Sequence, residues 1–150
     1  MKLSTKGRYG LRAMIDLAQN GRREAVSISS VAARQSISES YLEQLVGKLK
    51  KAGLVSSIRG AQGGYVLAKQ PDDISVGDIL RALEGDLSPI DCPALIGGGG
   101  GCEQSGSCAS KYVWQRLNDG INEIVDEIKL STLLEQENGA CSSHKDAAGI

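Results

Sequence analysis

The stretch from Ser38 to Leu67 most constrains the fold, because it places a helical pattern, a glycine-rich turn and two β-patterns in direct succession. Ser38 suits a helix N-cap and Gly53 suits the residue just after a helix C-terminus. Strands are predicted over 54–58 and 65–68, with the turn RGAQGG between them, where glycines permit positive φ angles. The apolar stripe of the helix comprises Leu42, Leu45, Val46, Leu49 and Ala52, and its polar face comprises Ser40, Glu43, Gln44, Gly47, Lys48 and Lys51.

A polar, basic helix followed by a hairpin with an arginine at its tip suits duplex DNA. The helix fits the major groove, and Arg59 can enter the narrower minor groove. The alternative is a small packing unit whose lysines are merely solvated. Charge favours DNA, because residues 1–60 hold eleven Lys/Arg and four Asp/Glu, a net +7, whereas residues 61–150 hold six and fourteen, a net −8.

The residues before this stretch complete a winged helix-turn-helix. A helix is predicted over 4–20, with Lys6, Arg8 and Arg12 near its start, where they either reach phosphates or are simply solvated. A β-like segment at 26–28 and a short helix over 29–35 follow, and a tight connection at Ser36-Ile37 leads into the next helix. The predicted fold class is therefore mainly α with a small β wing. The apolar face of the first helix comprises Tyr9, Ala13, Met14, Leu17 and Ala18.

The second half of the chain predicts a helix over 75–83, a non-periodic cysteine-containing loop, and a long helix over 109–130. Apolar residues on the long helix recur in steps of four, four, three and four, close to a coiled-coil seam. A helix of this length, roughly 33 Å, projects beyond a compact domain, so a second copy is predicted to cover the seam; the alternative is that the helix folds back. The seam comprises Val113, Leu117, Ile121, Ile124 and Ile128.

Four segments result from this interpretation. They are a winged helix-turn-helix DNA-binding domain over 1–83, a cysteine-containing cluster-binding loop over 84–108, a dimerisation helix region over 109–137 that includes a short helix at 131–136, and a polar, aperiodic tail over 138–150 that is predicted to be disordered.

Composition excludes several classes of protein. Hydrophobic residues make up 41% of the chain and no apolar run approaches 18 residues, so no membrane-spanning helix is expected. The basic N-terminus lacks the apolar block of a signal peptide, which predicts a cytoplasmic protein. A single histidine, with no nucleophile–base pair and no phosphate-binding loop, argues against an enzyme. Phenylalanine is absent, so the core is predicted to be aliphatic.

Three cysteines lie on one glycine-rich segment with the spacing C-x9-C-x5-C: Cys92, Cys102 and Cys108. In a reducing cytosol they are metal ligands or redox sensors rather than disulfides. Three thiolates on one flexible segment can converge on a soft metal centre, although the spacing lacks the short C-x2-C pairs of zinc fingers. Spacing alone leaves an iron–sulfur cluster, a zinc site and a thiol switch open. Cys141, in the tail, is interpreted as a spare thiol.

The opening KLSTKGRYGLRAM, the helix YLEQL, the segment GLVSSIRGAQGGYVLA and a three-cysteine loop before a long helix resemble the Rrf2 family of bacterial transcription regulators over about 1–137. The DNA-binding half is similar both to IscR-type iron–sulfur regulators and to CymR-type repressors of cysteine metabolism. The three cysteines are a feature of the IscR type and are lacking in the CymR type.

The resemblance implies a homodimer that binds a palindromic operator of double-stranded DNA and carries a [2Fe–2S] cluster, or alternatively a [4Fe–4S] cluster, on the three cysteines. The implied function is an iron–sulfur-cluster-sensing repressor of cluster-biogenesis genes, with cluster-assembly proteins as further partners. Alternatives are a CymR-like repressor and, from a different class, an iron–sulfur carrier or electron-transfer protein. A carrier needs no wing and no basic half, which argues against that class.

The resemblance also implies which residues contact DNA. Glu43 is a base-reading candidate, because a carboxylate accepts a hydrogen bond from cytosine N4 but repels phosphate. Arg59 is assigned to the minor groove. The remaining DNA-binding candidates, near base edges or phosphates, are Ser40, Tyr41, Gln44, Lys48, Lys6 and Arg8.

The fourth cluster ligand is unassigned. Where related proteins have a histidine three residues after the last cysteine, this chain has Lys111, and where others have an N-terminal aspartate it has Arg8. Neither cation can ligate iron. The alternatives are a carboxylate of the partner subunit, an exogenous thiol, or one of His144, Glu103 and Asp91 of this chain. Weak ligation at that position would make the cluster labile, as suits a sensor.

Overall fold

Three helices and a two-stranded wing form the N-terminal half of the fold, which confirms the winged-helix prediction. The computed structural model describes residues 3–91 and 109–147, with side chains as far as Gly139. The elements of this half are α1 (Thr5–Asn20), α2 (Ile28–Gln35), α3 (Glu39–Lys51), β1 (Val55–Ile58) and β2 (Gly64–Leu67).

Short polar side chains fix where these helices start. The Ser38 hydroxyl accepts from the Tyr41 N–H at 3.3 Å, as the sequence predicts, and Ser27 caps α2 in the same way. At the other end of α3, Gly53 has φ +79° and the Leu54 N–H donates to the Leu49 carbonyl at 3.0 Å. Because the helix ends at Lys51, the methyl of Ala52 is exposed, so its predicted place in the buried stripe is wrong.

The wing is an antiparallel pair in the register Val55↔Leu67 to Ile58↔Gly64. The predicted β-like segment at 26–28 is reduced to one bridge, in which Val26 and Tyr65 exchange main-chain hydrogen bonds of 2.9 and 2.8 Å. Gly64 makes this approach possible, since a Cβ there would lie 2.4 Å from the Val26 carbonyl oxygen. The wing is thereby tied to the start of the helix-turn-helix.

The core lies between α1, α3, a fourth helix and the start of the last helix. A 3-10 turn (Pro71–Asp73) leads into α4 (Val76–Glu84), whose first turn is closed by reciprocal hydrogen bonds between Ser75 and Asp78. Fully burying one such aliphatic side chain contributes about 1.5–3 kcal/mol. The largest fully buried apolar side chains are Met14, Leu42, Leu45, Leu49, Ile74, Ile79 and Leu130.

The long C-terminal helix is interrupted. The predicted helix 109–130 ends early, giving α5 (Ala109–Glu127) and then α6 (Leu130–Ala147). At the break the Val76 N–H donates to the Ile128 carbonyl at 2.8 Å and the Leu130 N–H donates to the Ile74 carbonyl at 2.9 Å. These bonds to Ile74 and to the first residue of α4 take the place of continued helical bonding, so α5 ends at Glu127. Among the described helices, none combines the length and the apolar content needed to cross a bilayer.

A single helix, α6, runs without a break from Leu130 to Ala147. It replaces the predicted short helix at 131–136 and most of the predicted disordered tail. Leu130 and Leu134 are buried and anchor the first turns, after which each further residue adds a backbone hydrogen bond. One interior glycine, Gly139, costs only about 1 kcal/mol relative to alanine and does not end the helix. The rest of the predicted tail, 148–150, lies outside the described residues.

Candidate nucleic-acid interface

The outward face of α3 carries four of the predicted DNA-binding residues. Their side chains are exposed, and within the described part of the chain they form no hydrogen bond or ion pair with another residue. The inward stripe holds the helix against the core, so this polar face is fixed in orientation while its functional groups stay available to a ligand. Those residues are Ser40, Glu43, Gln44 and Lys48.

Tyr41 differs from its neighbours on α3, because it contacts α1. Its hydroxyl lies 3.0 Å from the Thr5 hydroxyl oxygen, and its ring meets the Tyr9 ring edge-to-face with centroids 6.2 Å apart. Aromatic pairs in this arrangement contribute about 0.5–1.5 kcal/mol beyond their burial. Tyr41 therefore joins α3 to the first turn of α1, in addition to its predicted place beside DNA.

The wing presents Arg59 at its tip. This side chain is exposed and has no partner among the described residues, and it stands in a turn where Gly60 has φ +121°. The turn is closed by a 3.0 Å bond from the Gly63 N–H to the Gly60 carbonyl. Lys50 donates to the Ser57 hydroxyl at 2.8 Å, which links α3 to β1. The tip is thus held at a defined distance from the reading helix.

The first turn of α1, which carries Lys6 and Arg8, is held by a carboxylate. The Glu84 side chain accepts from the Ser4 N–H and the Gly7 N–H, both at 2.9 Å, and from the Ser4 hydroxyl at 2.5 Å. Burial acts to raise the pKa of Glu84, but these hydrogen bonds and the charge of Lys6 outweigh it, so the pKa lies below its usual value. The exposed cations Lys6 and Arg8 are therefore carried by a helix end that is held in place.

Arg12, for which the sequence left phosphate contact and solvation open, is exposed and contacts the end of α2. Its guanidinium donates to the Gln35 carbonyl and to the Gln35 side chain, both at 3.1 Å, and lies 5.5 Å from the centroid of the Tyr9 ring. In this structure it joins the end of α2 to α1. Arg8 lies over the same ring at 6.0 Å and is exposed.

A buried aspartate that the sequence reasoning missed fixes α2 against α1. Asp16 is almost completely buried and accepts from Arg34 at 2.7 and 2.9 Å and from Gln35 at 3.0 Å. Burial acts to raise the pKa of Asp16, but the hydrogen bonds from Arg34 and Gln35 and the Arg34 charge lower it below the usual value. An acid directly before the apolar pair Leu17 and Ala18 was the available signal.

Most of the predicted cluster ligands fall outside the residues that the structure describes. Cys92, Cys102, Cys108 and Glu103 lie outside the described residues, as does the side chain of His144. Within the described part of the chain, no group of three or more histidine, cysteine, aspartate or glutamate side chains could hold a metal ion. The cysteine site therefore stays a prediction from the sequence.

Comparison with known proteins identifies what this arrangement is similar to. The profile of the Rrf2 family, described as an iron-dependent transcriptional regulator, matches residues 3–136. The HTH-type transcriptional regulator CymR of Bacillus subtilis is 44% identical, covering 93% of this chain and 94% of its own, and its solved structure, that of the global cysteine regulator, superposes with a TM-score of 0.75.

Two IscR proteins are also similar. The HTH-type transcriptional regulator IscR of Escherichia coli is 38% identical, covering 91% of this chain and 82% of its own. The solved structure of T. potens IscR is 46% identical with a TM-score of 0.74, covering 93% of this chain and 90% of its own. These relatives are transcriptional regulators and not enzymes.

Proposed function

The chain belongs to the Rrf2 family of DNA-binding transcriptional regulators, and from that premise we propose that it is a homodimer whose binding to a palindromic operator responds to a metal cluster. The observation that carries the DNA-binding part is the pairing of an exposed polar face on α3 with an exposed arginine on the wing. Both are free of partners among the described residues and are fixed relative to one another.

Each DNA-contacting residue has a chemical role in this proposal. Glu43 accepts from cytosine N4 in the major groove, and Gln44 is suited to adenine. Arg59 reads the shape and potential of the minor groove. Cations in the first turn of α1 and the last turn of α3 bind phosphates and fix the register without reading sequence. Those cations are Lys6, Arg8 and Lys48.

An exposed apolar stripe on α5 supports the homodimer. Val113, Leu117 and Ile124 are 48%, 45% and 59% exposed, and with Gly120 they follow steps of four, three and four residues. The predicted seam is divided, because Ile121 and Ile128 instead pack on the same chain. The rest of the stripe, named here the α5 seam (Val113, Leu117, Gly120 and Ile124), has the heptad spacing that a second copy of the helix covers.

The cysteine loop supports the sensor part of the proposal through the chemistry of its donors. Three thiolates suit an iron–sulfur cluster, [2Fe–2S] or [4Fe–4S], and Cys92, Cys102 and Cys108 are the residues that would hold it. A bound cluster would supply sensitivity to iron and oxygen. Lys111 and Arg8 cannot complete the ligand set, so the fourth ligand is a carboxylate, His144 or an external thiol. The similarity to IscR and the family's description as iron-dependent favour this reading.

Two substitutions test the DNA-reading assignment. Arg59→Ala is expected to weaken binding to all duplexes, because the minor-groove arginine reads shape. Glu43→Ala is expected to relax sequence choice, changing discrimination at one base pair by about 1–3 kcal/mol. Operators selected from random duplexes would be compared by fluorescence anisotropy at several salt concentrations. Arg116→Ala and Glu123→Ala, exposed residues of α5, are matched controls. Unchanged affinity and preference in both test variants would refute the assignment.

A triple variant tests the sensor. Replacing Cys92, Cys102 and Cys108 with alanine is expected to remove visible absorbance, iron and sulfide after anaerobic purification, while the protein stays folded and binds DNA. The response of DNA binding to iron or oxygen should be lost, since a ligand shifts only an equilibrium whose two states it contacts differently. Cys141→Ala should retain the cluster. Equal iron and sulfide in the wild type and the triple variant would contradict the ligand assignment.

A CymR-like repressor of cysteine metabolism is the second candidate. It is favoured by 44% identity to the Bacillus subtilis regulator and by the lysine and arginine at the positions matched to fourth ligands in related proteins. Anaerobic purification separates the two. Wild type that binds its operator tightly but contains no iron or sulfide would support the second candidate, whereas a cluster whose loss changes operator affinity supports the first.

A further inference from the structure

A guanidinium on α4 holds α5 by an ion pair and an amide. Arg81 donates to both carboxylate oxygens of Asp126, at 2.7 and 3.0 Å, and to the Asn122 side-chain oxygen at 2.6 Å. Asn122 in turn donates to the Asn118 carbonyl at 2.8 Å. These three residues, Arg81, Asn122 and Asp126, are named here the Arg81 clamp. Because the planar guanidinium binds side chains on two successive turns of α5, it fixes the orientation of α5 relative to α4 as well as the distance between them.

The neighbouring residue on α4 makes room for the clamp. A Cβ at Gly77 would lie 2.1 Å from the Asp126 carboxylate and 2.7 Å from the Arg81 guanidinium. The side chains of Arg81 and Asp126 are 35% and 49% exposed, and ion pairs with this exposure add little to stability. A glycine at this point therefore permits a directional contact whose contribution to folding is small.

The clamp contacts α5 near its C-terminus, whereas part of the α5 seam lies nearer its N-terminus. The C-terminal part of α5 is held on α4 by the Val76–Ile128 main-chain bond, by the apolar contacts of Ile121, Val125 and Ile128, and by the clamp. Leu117 and Val113 of the α5 seam lie nearer the N-terminus of the helix. Leu117 is about 13 Å along the helix axis from Asp126. A tilt of about 15° displaces Leu117 by about 3.5 Å, close to the rise of one base pair.

We infer that Arg81 determines operator spacing, because the clamp sets the angle between the DNA-reading unit and the helix that carries the α5 seam. The inference rests on the proposed homodimer. In a symmetric dimer the same tilt of α5 occurs in both protomers. The distance between the two copies of α3 therefore changes by more than the displacement within one protomer. Half-site spacing on DNA follows directly from the distance between the two reading helices. Arg81 is thus a positioning residue that touches no base.

The test compares spacers. The wild-type protein is used to select a two-half-site operator from random duplex DNA, and the spacer is then lengthened and shortened by one and two base pairs. Arg81→Lys keeps the charge without the fork, and Asp126→Asn keeps the shape without the charge. Each is expected to lose about tenfold in discrimination between the best spacer and its neighbours, while affinity for one isolated half-site stays within about twofold. Asp119→Asn, an exposed acid on the same helix, should match the wild type.

Two further measurements make the outcome decisive. Sedimentation reports whether each variant is dimeric, and thermal unfolding reports whether it is folded. Folded, dimeric variants with the wild-type ranking of spacers would overturn the inference, as would a parallel loss of single half-site affinity, which indicates a role in folding alone. A monomeric wild type would overturn the proposed homodimer as well, and is recognised because it shows no spacer preference before any substitution.

Discussion

Replacing Leu117 and Ile124 with glutamate is expected to yield folded monomers that no longer bind a two-half-site operator. Both side chains are exposed in the single chain, so the substitutions remove nothing from its own core. In a dimer they would place four carboxylates in one apolar seam, at a desolvation cost that no contact offsets. Losing the second half-site removes the gain from bivalent binding, a factor of about 10²–10⁴ in affinity. Analytical ultracentrifugation and gel-shift titration measure the two effects.

Two matched variants separate assembly from folding. Asp119→Lys places a charge change on the same helix away from the α5 seam, and it should leave the dimer intact. Ile121 packs against α4 of its own chain. Ile121→Glu should therefore lower the melting temperature of the protein rather than split a folded dimer. A Leu117, Ile124 double variant that sediments as a dimer would show that the interface lies on another surface.

Asp16→Ala is expected to reduce the free energy of unfolding by about 3 kcal/mol. The substitution removes the charged acceptor of the hydrogen bonds from Arg34 and Gln35, and a hydrogen bond to a charged group contributes about 1.5–3 kcal/mol. No further cost for an unpaired buried charge is expected, because the Arg34 side chain that remains is 41% exposed. Asp119→Ala, which removes an exposed acid, should change stability by less than about 0.5 kcal/mol. Urea denaturation followed by circular dichroism measures both. A wild-type-like midpoint for Asp16→Ala would show that the network does not stabilise the helix-turn-helix.

The same variant should show a characteristic dependence on pH. Because the pKa of Asp16 is lower in the folded state, its contribution is fully present above the pKa of the unfolded chain, about 3.9, and disappears as the pH falls through the folded-state pKa. The stability difference between wild type and Asp16→Ala should therefore be constant near neutral pH and shrink below about pH 4. A difference that grows on acidification would contradict the assignment.

The DNA-reading half was predictable because its signals are local. Ser38, the apolar stripe and Gly53 each act within one or two helical turns, so sequence spacing alone defines α3. The wing followed from the turn glycines in the same way. The contact between the wing and Val26 was not predicted. In the sequence Gly64 looks like a turn residue, and its role in the close approach of Val26 is visible only in the structure.

The C-terminal half was predicted less well because tertiary contacts decide it. The pattern through Ile124 and Ile128 continues a helical seam, and only the bonds to Ile74 and Val76 end the helix there. Asp16 resembled an ordinary polar residue, since its partner Arg34 lies in another helix. The residues after 137 lack periodicity, yet α6 continues through them from an anchored start.

The main-chain bonds that join residues 74–76 to 128–130 have a consequence for how this protein can vary. They hold α4 and α5 together independently of the connection between those helices, so the positions of the two ends of that connection are fixed by the scaffold. Lengthening a loop whose ends are fixed costs only about 0.6 kcal/mol for each doubling. The connection over 85–108 should therefore tolerate change. Residues can be inserted into it, or its cysteines exchanged for other ligating groups, while the DNA-binding half keeps its structure.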